Sequence, residues 1–266
     1  MSDRRRPSLA WTNLGDWAEG DDFRAACARL ARRHAEAVSL QPSHRVLDLA
    51  CGRGASLALW WQLGVRELTG LDADAEALRS AREGLAGHGL VTEGVAGVTL
   101  LSGRYDQWPP VPGLLPAAHD AVVCIDAAYH ASSADAFLRT VAHVLAPDGR
   151  AAWSTLVLRS EPGWRLRLLL RAAGIPSASL CTLADWQARA DRHGLLLEPV
   201  AALDAEVLNG FSTFARSAVT ATPAQAATQG WSHVPRWKLA LTGRLCRRLT
   251  VSGEIGYMLM KTRHKT

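Results

Sequence analysis

The stretch from His44 to Gly54, HRVLDLACGRG, contains the clearest fold signal in the chain. Val46 to Leu49 is an apolar run, too short for a helix and rich in branched residues, which is typical of a buried parallel strand. It leads into Ala50-Cys51-Gly52-Arg53-Gly54, where small residues let the backbone approach a ligand closely. An apolar helix is predicted from Ala55 to Leu63. A strand, a small-residue turn and a helix start at the carboxyl edge of a sheet are typical of a nucleotide-like binding site.

The next predicted strand, Glu67 to Asp72, narrows the choice of ligand. Asp72 ends this strand eighteen residues after Gly54, where a carboxylate can accept hydrogen bonds from both ribose hydroxyls. NAD would fit this acid as well. The dinucleotide fingerprint G-x-G-x-x-G, however, requires a glycine where Leu57 stands. Pyrophosphate binding, and with it a nicotinamide oxidoreductase, is therefore the weaker alternative.

These residues resemble the class I S-adenosylmethionine-dependent methyltransferases. Asp48 and the turn from Ala50 to Gly54 are similar to the first motif of that family, with Ala50 where a glycine is commoner, and Asp72 matches its ribose-binding acid. The resemblance runs from about residue 44 to residue 158 and is closest to the small-molecule branch, which includes ubiquinone, sterol and macrolide methyltransferases. It implies S-adenosyl-L-methionine as cofactor, no metal, and an α/β fold. The expected fold is a Rossmann-like seven-stranded, mostly parallel sheet with an antiparallel last strand and helices on both faces.

The resemblance also implies a set of cofactor-binding residues. After the third predicted strand, Val98 to Leu101, the family has an acid that reads the adenine amino group. Here the sequence is Ser-Gly-Arg-Tyr-Asp, which departs from the common Gly-Asp pattern and leaves Tyr105 and Asp106 as the candidates. The full set of predicted cofactor residues is Asp48, Ala50, Cys51, Gly52, Gly54, Asp72, Ala73, Tyr105, Asp106 and Asp126.

The family's methyl-transfer site opens after the fourth strand, here Asp120 to Asp126. Methyl transfer from a sulfonium is an in-line displacement, in which orientation lowers the barrier by roughly 7 to 11 kcal/mol and a general base by less. His130 follows this strand and is the candidate base for a hydroxyl acceptor. The alternative is a histidine that hydrogen-bonds to the backbone. Tyr129 is predicted to contact the donor, although simple packing explains it equally well.

The rest of the chain continues the alternation of strands and helices and adds covers. The predicted elements are a helix from Asp22 to Val38, a helix from Asp74 to Leu85, a helix from Ala134 to Ala146, a strand from Arg150 to Leu158, a helix from Leu183 to His193, a strand from Leu195 to Leu203 and a last strand from Gly253 to Lys261. Residues 1–43 are predicted to form an N-terminal arm and helix over the site. Residues 44–266 form the methyltransferase domain, with acceptor-pocket insertions at about 160–182 and 206–250, the second one helical.

Composition sets limits on class and location. With 266 residues and 48% hydrophobic composition, the chain is long enough for one large α/β domain. It has no apolar run of about eighteen residues and no apolar segment near its N-terminus, so we expect no membrane span and a cytoplasmic location. The five cysteines are odd in number and contain no C-x-x-C pair, which predicts neither a disulfide framework nor a zinc site.

The net charge of +5 comes largely from arginine clusters scattered over tails and helices, which favours a solvated surface over a nucleic-acid site. Amino-methylating nucleic-acid enzymes also carry Pro-Pro-aromatic after the fourth strand, where this chain has Asp-Ala-Ala-Tyr. Five tryptophans lie in the predicted covers and suit an apolar acceptor, although packing of added helices also explains them: Trp11, Trp17, Trp164, Trp231 and Trp237.

The sequence therefore predicts methyl transfer to a small, largely apolar acceptor, a lipid or secondary metabolite, at oxygen. C-methylation is the nearest alternative, and a noncatalytic partner subunit with the same fold is a third. No nucleic-acid partner is expected, and a homodimer is left open.

Overall fold

A single sheet runs through the molecule, as shown by the computed structural model, which describes residues 9–20, 22–90 and 97–265. The strands are Arg45–Leu49 (β1), Glu67–Asp72 (β2), Val98–Ser102 (β3), His119–Cys124 (β4), Leu145–Leu158 (β5), Cys181–Thr182 (β6), Leu195–Ala202 (β7) and Ile255–His264 (β8). The order is β3-β2-β1-β4-β5-β8-β7, and β1 to β5 run parallel. The carboxyl ends of β1, β2 and β4 therefore meet at one edge.

The other end of the sheet is antiparallel. Strand β8 lies between β5 and β7 and is antiparallel to both. This confirms the expected Rossmann-like fold with an antiparallel last strand. The two-residue β6 pairs with the end of β5 as an eighth strand that the seven-strand prediction did not include. It is short enough to carry no periodic signal in the sequence.

Helices cover both faces of the sheet because strand side chains alternate between the faces. On β1, Val46 packs into the cluster with Phe23–Ala37 (α1), Ala55–Gln62 (α2) and Ala75–Gly87 (α3). Leu47 and Leu49 pack into the opposite cluster with Ala134–Val144 (α4) and Leu183–Arg192 (α6). The five cysteines are all free and buried, in keeping with their expected place in the core.

The boundary between α4 and β5 differs from the sequence prediction, which placed the start of the strand at Arg150, whereas β5 begins at Leu145. Helix α4 ends at Val144 instead of Ala146, because Leu145 already pairs with His119 as the first residue of β5. The Pro147-Asp148-Gly149 turn then produces a register shift inside β5, between His119 and Ala121 on its partner strand.

The remaining helices lie in the insertions. Trp164–Ala172 (α5) follows β5, and Gly210–Ala218 (α7), Pro223–Gln229 (α8) and Arg236–Ser252 (α9) precede β8, in agreement with the predicted helical character of that insertion. The N-terminal arm, residues 9–20, packs on α7, where the ring of Trp17 stacks on that of Phe214 with 4.6 Å between the ring centroids. A Cβ on Gly210 would come within 2.5 Å of Trp17, so only glycine permits this approach. Residues 1–8 and 21 of the predicted cover lie outside the described residues. Within the described ranges no helix is long and apolar enough to span a membrane.

Candidate active site

The turn after β1 has the backbone shape that its small residues predict. Ala50, Gly52 and Gly54 have φ values of 61°, 55° and 81°, in the left-handed region. For Ala50 this conformation is strained, which explains why a glycine is commoner at this place in the motif. Gly54 caps α2 without any side-chain hydrogen bond, so the first amides of that helix face the edge of the sheet. Cys51 is buried, with its Sγ 2.8 Å from where a Cβ on Gly70 would lie, which is a packing role.

Asp72 is half-buried at the end of β2, beside the turn, and Ala73 next to it is exposed. Its Oδ2 accepts a hydrogen bond from the Gly52 amide at 2.7 Å, and its Oδ1 accepts one from the Asp74 amide at 2.8 Å. A carboxylate has about four acceptor positions. Both oxygens therefore keep a lone pair for a further donor such as a ribose hydroxyl.

Asp48, on β1, has its partners inside the protein. The carboxylate is buried, accepts a hydrogen bond from Trp60 Nε1 at 2.9 Å, and is bonded by the Ser56 side chain. Burial raises its pKa to about 6 against these stabilising bonds. Asp48 thus joins β1 to α2, a structural role beside the predicted cofactor role.

Asp126 lies just after β4 in a second carboxylate network. Its Oδ1 accepts hydrogen bonds from the hydroxyls of Tyr129 and Tyr257, both at 2.8 Å. Its Oδ2 accepts one from the Leu14 amide of the N-terminal arm at 2.7 Å. Burial raises the pKa of Asp126 to about 6, although each of these bonds lowers it. Ser154 completes the network: because the hydroxyl hydrogen of Tyr257 is directed at Asp126, the Ser154 hydroxyl donates to the Tyr257 oxygen, and it accepts from the Asp126 amide, each at 2.8 Å.

The arm lies directly over the turn. Ala10 forms a parallel bridge with Gly54, and Thr12 Oγ1 lies 2.7 Å from where a Cβ on Gly52 would be. The carbonyl of Trp11 accepts a hydrogen bond from His233 Nε2 at 3.0 Å, which ties the arm to the loop before α9. The cavity enclosed by the arm, Asp48 and the turn measures about 20 Å³, room for about one water molecule. A ligand in this corner requires the arm to shift.

The two adenine candidates have internal partners. Tyr105 donates a hydrogen bond to the Ala127 carbonyl at 2.7 Å. Asp106 accepts two hydrogen bonds from Arg104, both at 2.9 Å, and one from the Ser132 amide. Burial works to raise the pKa of Asp106, but these bonds outweigh it and hold the pKa below its usual value. Asp106 therefore joins the loop after β3 to the loop after β4, and its contact with adenine stays a prediction.

Tyr129 and His130 form a short helical turn, Ala128–His130, that contacts the insertion after β5. The Ser179 hydroxyl donates to the Tyr129 carbonyl at 2.7 Å. His130 Nδ1 lies 2.9 Å from the Gly174 carbonyl, so this nitrogen carries the hydrogen and Nε2 is the accepting nitrogen of the neutral ring. Partial desolvation lowers the pKa of His130, and the nearby charges of Lys238 and Arg104 lower it further. The imidazole is therefore neutral at pH 7.

The insertion contains a large, mostly apolar cavity of about 780 Å³. It lies between the end of β5 and residues 161–180, with Leu170 and Ile175 among its lining residues. The same insertion contacts the turn of Tyr129 and His130 through Gly174 and Ser179, which are neighbours in sequence of the lining residues Ile175 and Leu180. Its volume is in the range of sites for small molecules.

Sequence reasoning missed several members of the site. Tyr257 and Ser154 reach Asp126 from β8 and β5, and Leu14 contributes only a backbone amide. Their one signal in the sequence is strand alternation, which places Tyr257 and Ser154 on an inner face. That signal identifies burial and does not identify a partner.

Comparisons with known proteins agree with this arrangement. Residues 46–149 match the family model described as a methyltransferase domain. No curated protein matches the chain in sequence. Together with the sheet order and the acidic strand ends, the match shows that the chain carries a class I S-adenosylmethionine-dependent methyltransferase domain.

Solved structures show how widely this fold is used. The chain is similar to the [4+2]-cyclase SpnF, with a TM-score of 0.72, 18% identity and coverage of 97% of this chain and 90% of that one. The mycolic acid cyclopropane synthase CmaA1, solved with S-adenosylhomocysteine, is similar with a TM-score of 0.72 and 19% identity, over 97% of this chain and 92% of that one. The geranyl diphosphate C-methyltransferase from Streptomyces coelicolor is similar with a TM-score of 0.72 and 11% identity, over 97% of this chain and 90% of that one. At these identities the similarity establishes the fold.

S-adenosylmethionine is the cofactor of this domain, and the described residues suit it chemically. Asp72 keeps acceptor positions for further donors, and the left-handed turn from Ala50 to Gly54 contains two glycines at which the backbone can be approached closely. The contacts of the individual residues with the cofactor stay predictions.

Proposed function

We propose that the chain transfers a methyl group from S-adenosylmethionine to an oxygen atom of a small, largely apolar acceptor, a lipid or secondary metabolite. The observation that carries the proposal is the hydrogen bond from His130 Nδ1 to the Gly174 carbonyl, 2.9 Å long. It leaves Nε2 as a proton acceptor at the carboxyl end of β4. The bound cofactor supplies an electrophilic methyl group, and the chain must hold the acceptor oxygen in line with it.

His130 is the proposed base. A hydroxyl acceptor must lose its proton as the new C–O bond forms, and Nε2 of a neutral imidazole can take it. The lowered pKa of His130 keeps this nitrogen unprotonated at neutral pH. A carboxylate acceptor would already be ionised and would need no base.

The insertion cavity is the proposed place for the apolar part of the acceptor. Its apolar lining and its connection to the His130 turn support this assignment. The arm completes the enclosure: its hydrogen bond to Asp126 and its bridge to Gly54 close the same edge of the sheet. Opening of the arm would admit the ligands, and its closing would exclude water from the transfer.

C-methylation is the second candidate. It is supported by the names of two similar structures, a cyclopropane synthase and a C-methyltransferase. Incubation of the protein with isotopically labelled methyl donor and cell extracts, followed by mass spectrometry of the products, separates the two candidates. A product with the labelled methyl group on oxygen, as an ether or ester, supports the proposal. A labelled methyl group on carbon, or in nucleic acid, contradicts it.

The His130→Ala variant tests the base directly. We expect turnover on a hydroxyl acceptor to fall by about 10² or more, with nearly unchanged affinity for the cofactor. Activity of the parent should fall on the acid side, below the ordinary histidine pKa of about 6.5, since protonation of Nε2 removes the acceptor. His88→Ala, at the end of α3, is the matched control and should keep parental turnover. Near-parental turnover of His130→Ala would show that His130 is structural.

A further inference from the structure

Two cover helices expose an unusual combination of side chains. Ten large hydrophobic side chains are exposed in the described parts of the chain, and six of them lie on α5 and α9: Trp164, Leu168, Leu169, Trp237, Leu241 and Val251. The tryptophans are the most prominent, 67% exposed at Trp164 and 68% at Trp237. Apolar side chains concentrated in this way mark an interaction surface.

The same helices concentrate positive charge. Helix α5, WRLRLLLRA, and helix α9, RWKLALTGRLCRRLTVS, contain eight arginines and lysines and no acidic residue. This exceeds the net charge of +5 of the whole chain. Arg165, Arg244 and Arg248 have no carboxylate partner among the described residues, so their charge is available to a partner.

Contacts near their ends bring α5 and α9 close to each other. The Gly163 amide, at the start of α5, donates to Glu254 just after the end of α9 at 3.1 Å. At the other end, Gly174 follows α5 and accepts the hydrogen bond from His130, whose ring is close enough to Lys238 in α9 to feel its charge. The start of α5 therefore lies near the end of α9, and the end of α5 lies toward the start of α9. We call the exposed side chains of these two helices the α5–α9 surface.

We propose that the α5–α9 surface docks on an anionic lipid bilayer. Tryptophan and leucine side chains enter the boundary between headgroups and acyl chains, while arginine and lysine contact anionic headgroups. Self-association through this surface would bring eight positive charges against eight others. Nucleic acid would engage the cations but would leave the exposed leucines and Val251 without a partner. Only the bilayer uses both sets of side chains.

Docking in this orientation is consistent with the insertion cavity. Trp164 and Leu168 line that cavity as well as the α5–α9 surface. An amphipathic acceptor could therefore pass from the bilayer into the cavity without crossing water. The docking itself does not depend on the proposed methyl acceptor, because it is measured without cofactor or turnover.

Sedimentation of the full chain with vesicles tests the inference. We expect binding to vesicles of phosphatidylcholine mixed with phosphatidylserine, much weaker binding to phosphatidylcholine alone, and loss of binding at about 1 M salt. Arg244→Glu with Arg248→Glu should weaken binding by at least about fivefold per charge. Trp164→Ala with Trp237→Ala should weaken it by roughly tenfold.

Two control variants change the same residue types elsewhere. Trp108→Ala removes an exposed tryptophan that stacks with Arg139, and Arg82→Glu reverses a charge on α3. Both should bind the mixed vesicles as the parent does. Circular dichroism and cofactor titration establish that every variant is folded.

Three results would overturn the inference. One is equal binding of the parent to neutral and mixed vesicles, or none to either. Another is parental binding by the double tryptophan variant. The third is evidence that the surface serves another partner. Such evidence would be a dimer of the parent chain that becomes a monomer in the tryptophan variants, or binding to nucleic acid that these variants weaken while the parent does not bind vesicles. A failed methyl-transfer assay with intact vesicle binding would reject the proposed function and leave the docking in place.

Discussion

Asp48 and Asp126 lie at the ends of neighbouring strands, and burial raises the pKa of each to about 6, yet their surroundings are built differently. The partners of Asp48 are Ser56 and Trp60, which belong to the helix that follows its own strand. The partners of Asp126 come from the arm, from the turn after β4 and from β8, up to 131 residues away. One carboxylate stabilises a local βα unit, and the other joins segments that are far apart in the chain.

The difference separates two tasks within the site. The Asp48 corner can form as soon as its strand and helix form, and it provides a preformed turn beside Asp72. The Asp126 network exists only when the arm and the last strand have docked. We therefore expect the Asp48 corner to be the more stable part of the site, and the docked arm to be the part that responds to mutation, pH and ligands.

Among the changes considered, removal of either carboxylate should lower the free energy of unfolding most. Asp126→Ala leaves the Leu14 amide and two tyrosine hydroxyls without their acceptor, so we expect the free energy of unfolding to fall by about 3 to 5 kcal/mol. Asp48→Ala leaves fewer donors and should cost about 2 to 3 kcal/mol. Urea denaturation at pH 7 measures both. A greater loss for Asp48→Ala would contradict the assignment of the larger network to Asp126.

A change of pH should produce the next largest effect. The folded pKa of Asp126, about 6, exceeds its ordinary value of 3.8, so protonation of Asp126 adds to the stability below about pH 4, and this added part is lost as pH rises through 6. Asp126→Asn removes this dependence. Its cost should therefore be greater at pH 4 than at pH 7, by up to about 3 kcal/mol. The buried His34 and His119, whose pKa values burial lowers to about 4, titrate in both proteins and cancel in the difference. A cost that does not vary with pH would show that Asp126 is not held at a raised pKa.

Replacement of Asp72 should weaken cofactor binding and have less effect on the fold. Asp72→Ala would remove the predicted charge-assisted hydrogen bonds to the ribose, and we expect a loss of about 2 to 3 kcal/mol in affinity for S-adenosylmethionine, measured by calorimetry. Asp74→Ala is the control: it removes the cap of α3, costs about 1 kcal/mol of stability and should leave affinity unchanged. Equal affinity of Asp72→Ala and the parent would refute the ribose assignment.

Removal of single tyrosine hydroxyls should change the free energy of unfolding least. It compares a hydrogen bond to a carboxylate with one to a neutral carbonyl. Tyr257→Phe removes a donor to the Asp126 carboxyl, at a cost of about 1.5 to 3 kcal/mol in unfolding free energy. Tyr105→Phe removes a donor to a neutral carbonyl and should cost about 0.5 to 1.5 kcal/mol. Thermal or urea unfolding of both variants ranks them. If their costs are equal, the bond from Tyr257 gains nothing from the charge of Asp126.

Much of the fold could be predicted because its signals are local. The run Val46 to Leu49, the small-residue turn and the acid at Asp72 identify strand, turn and helix within about thirty residues, and the predicted β2 has the bounds found in the structure. The start of α3 at Asp74 was also predicted, since a side chain that accepts from amides two or three residues later needs no distant partner.

The sequence by itself determined the first two strands, the small-residue turn between β1 and α2, and the helix that follows, because each depends on periodicity or on residues a few positions apart. The antiparallel last strand and the class of cofactor followed from the family resemblance that these residues carry. Only the tertiary structure decided which groups meet at Asp126, where the arm lies and that the start of α5 contacts the end of α9. These features depend on backbone amides and on side chains that are 91 to 131 residues apart. Such pairs leave no pattern along a single chain, since what selects them is the packing of the finished fold.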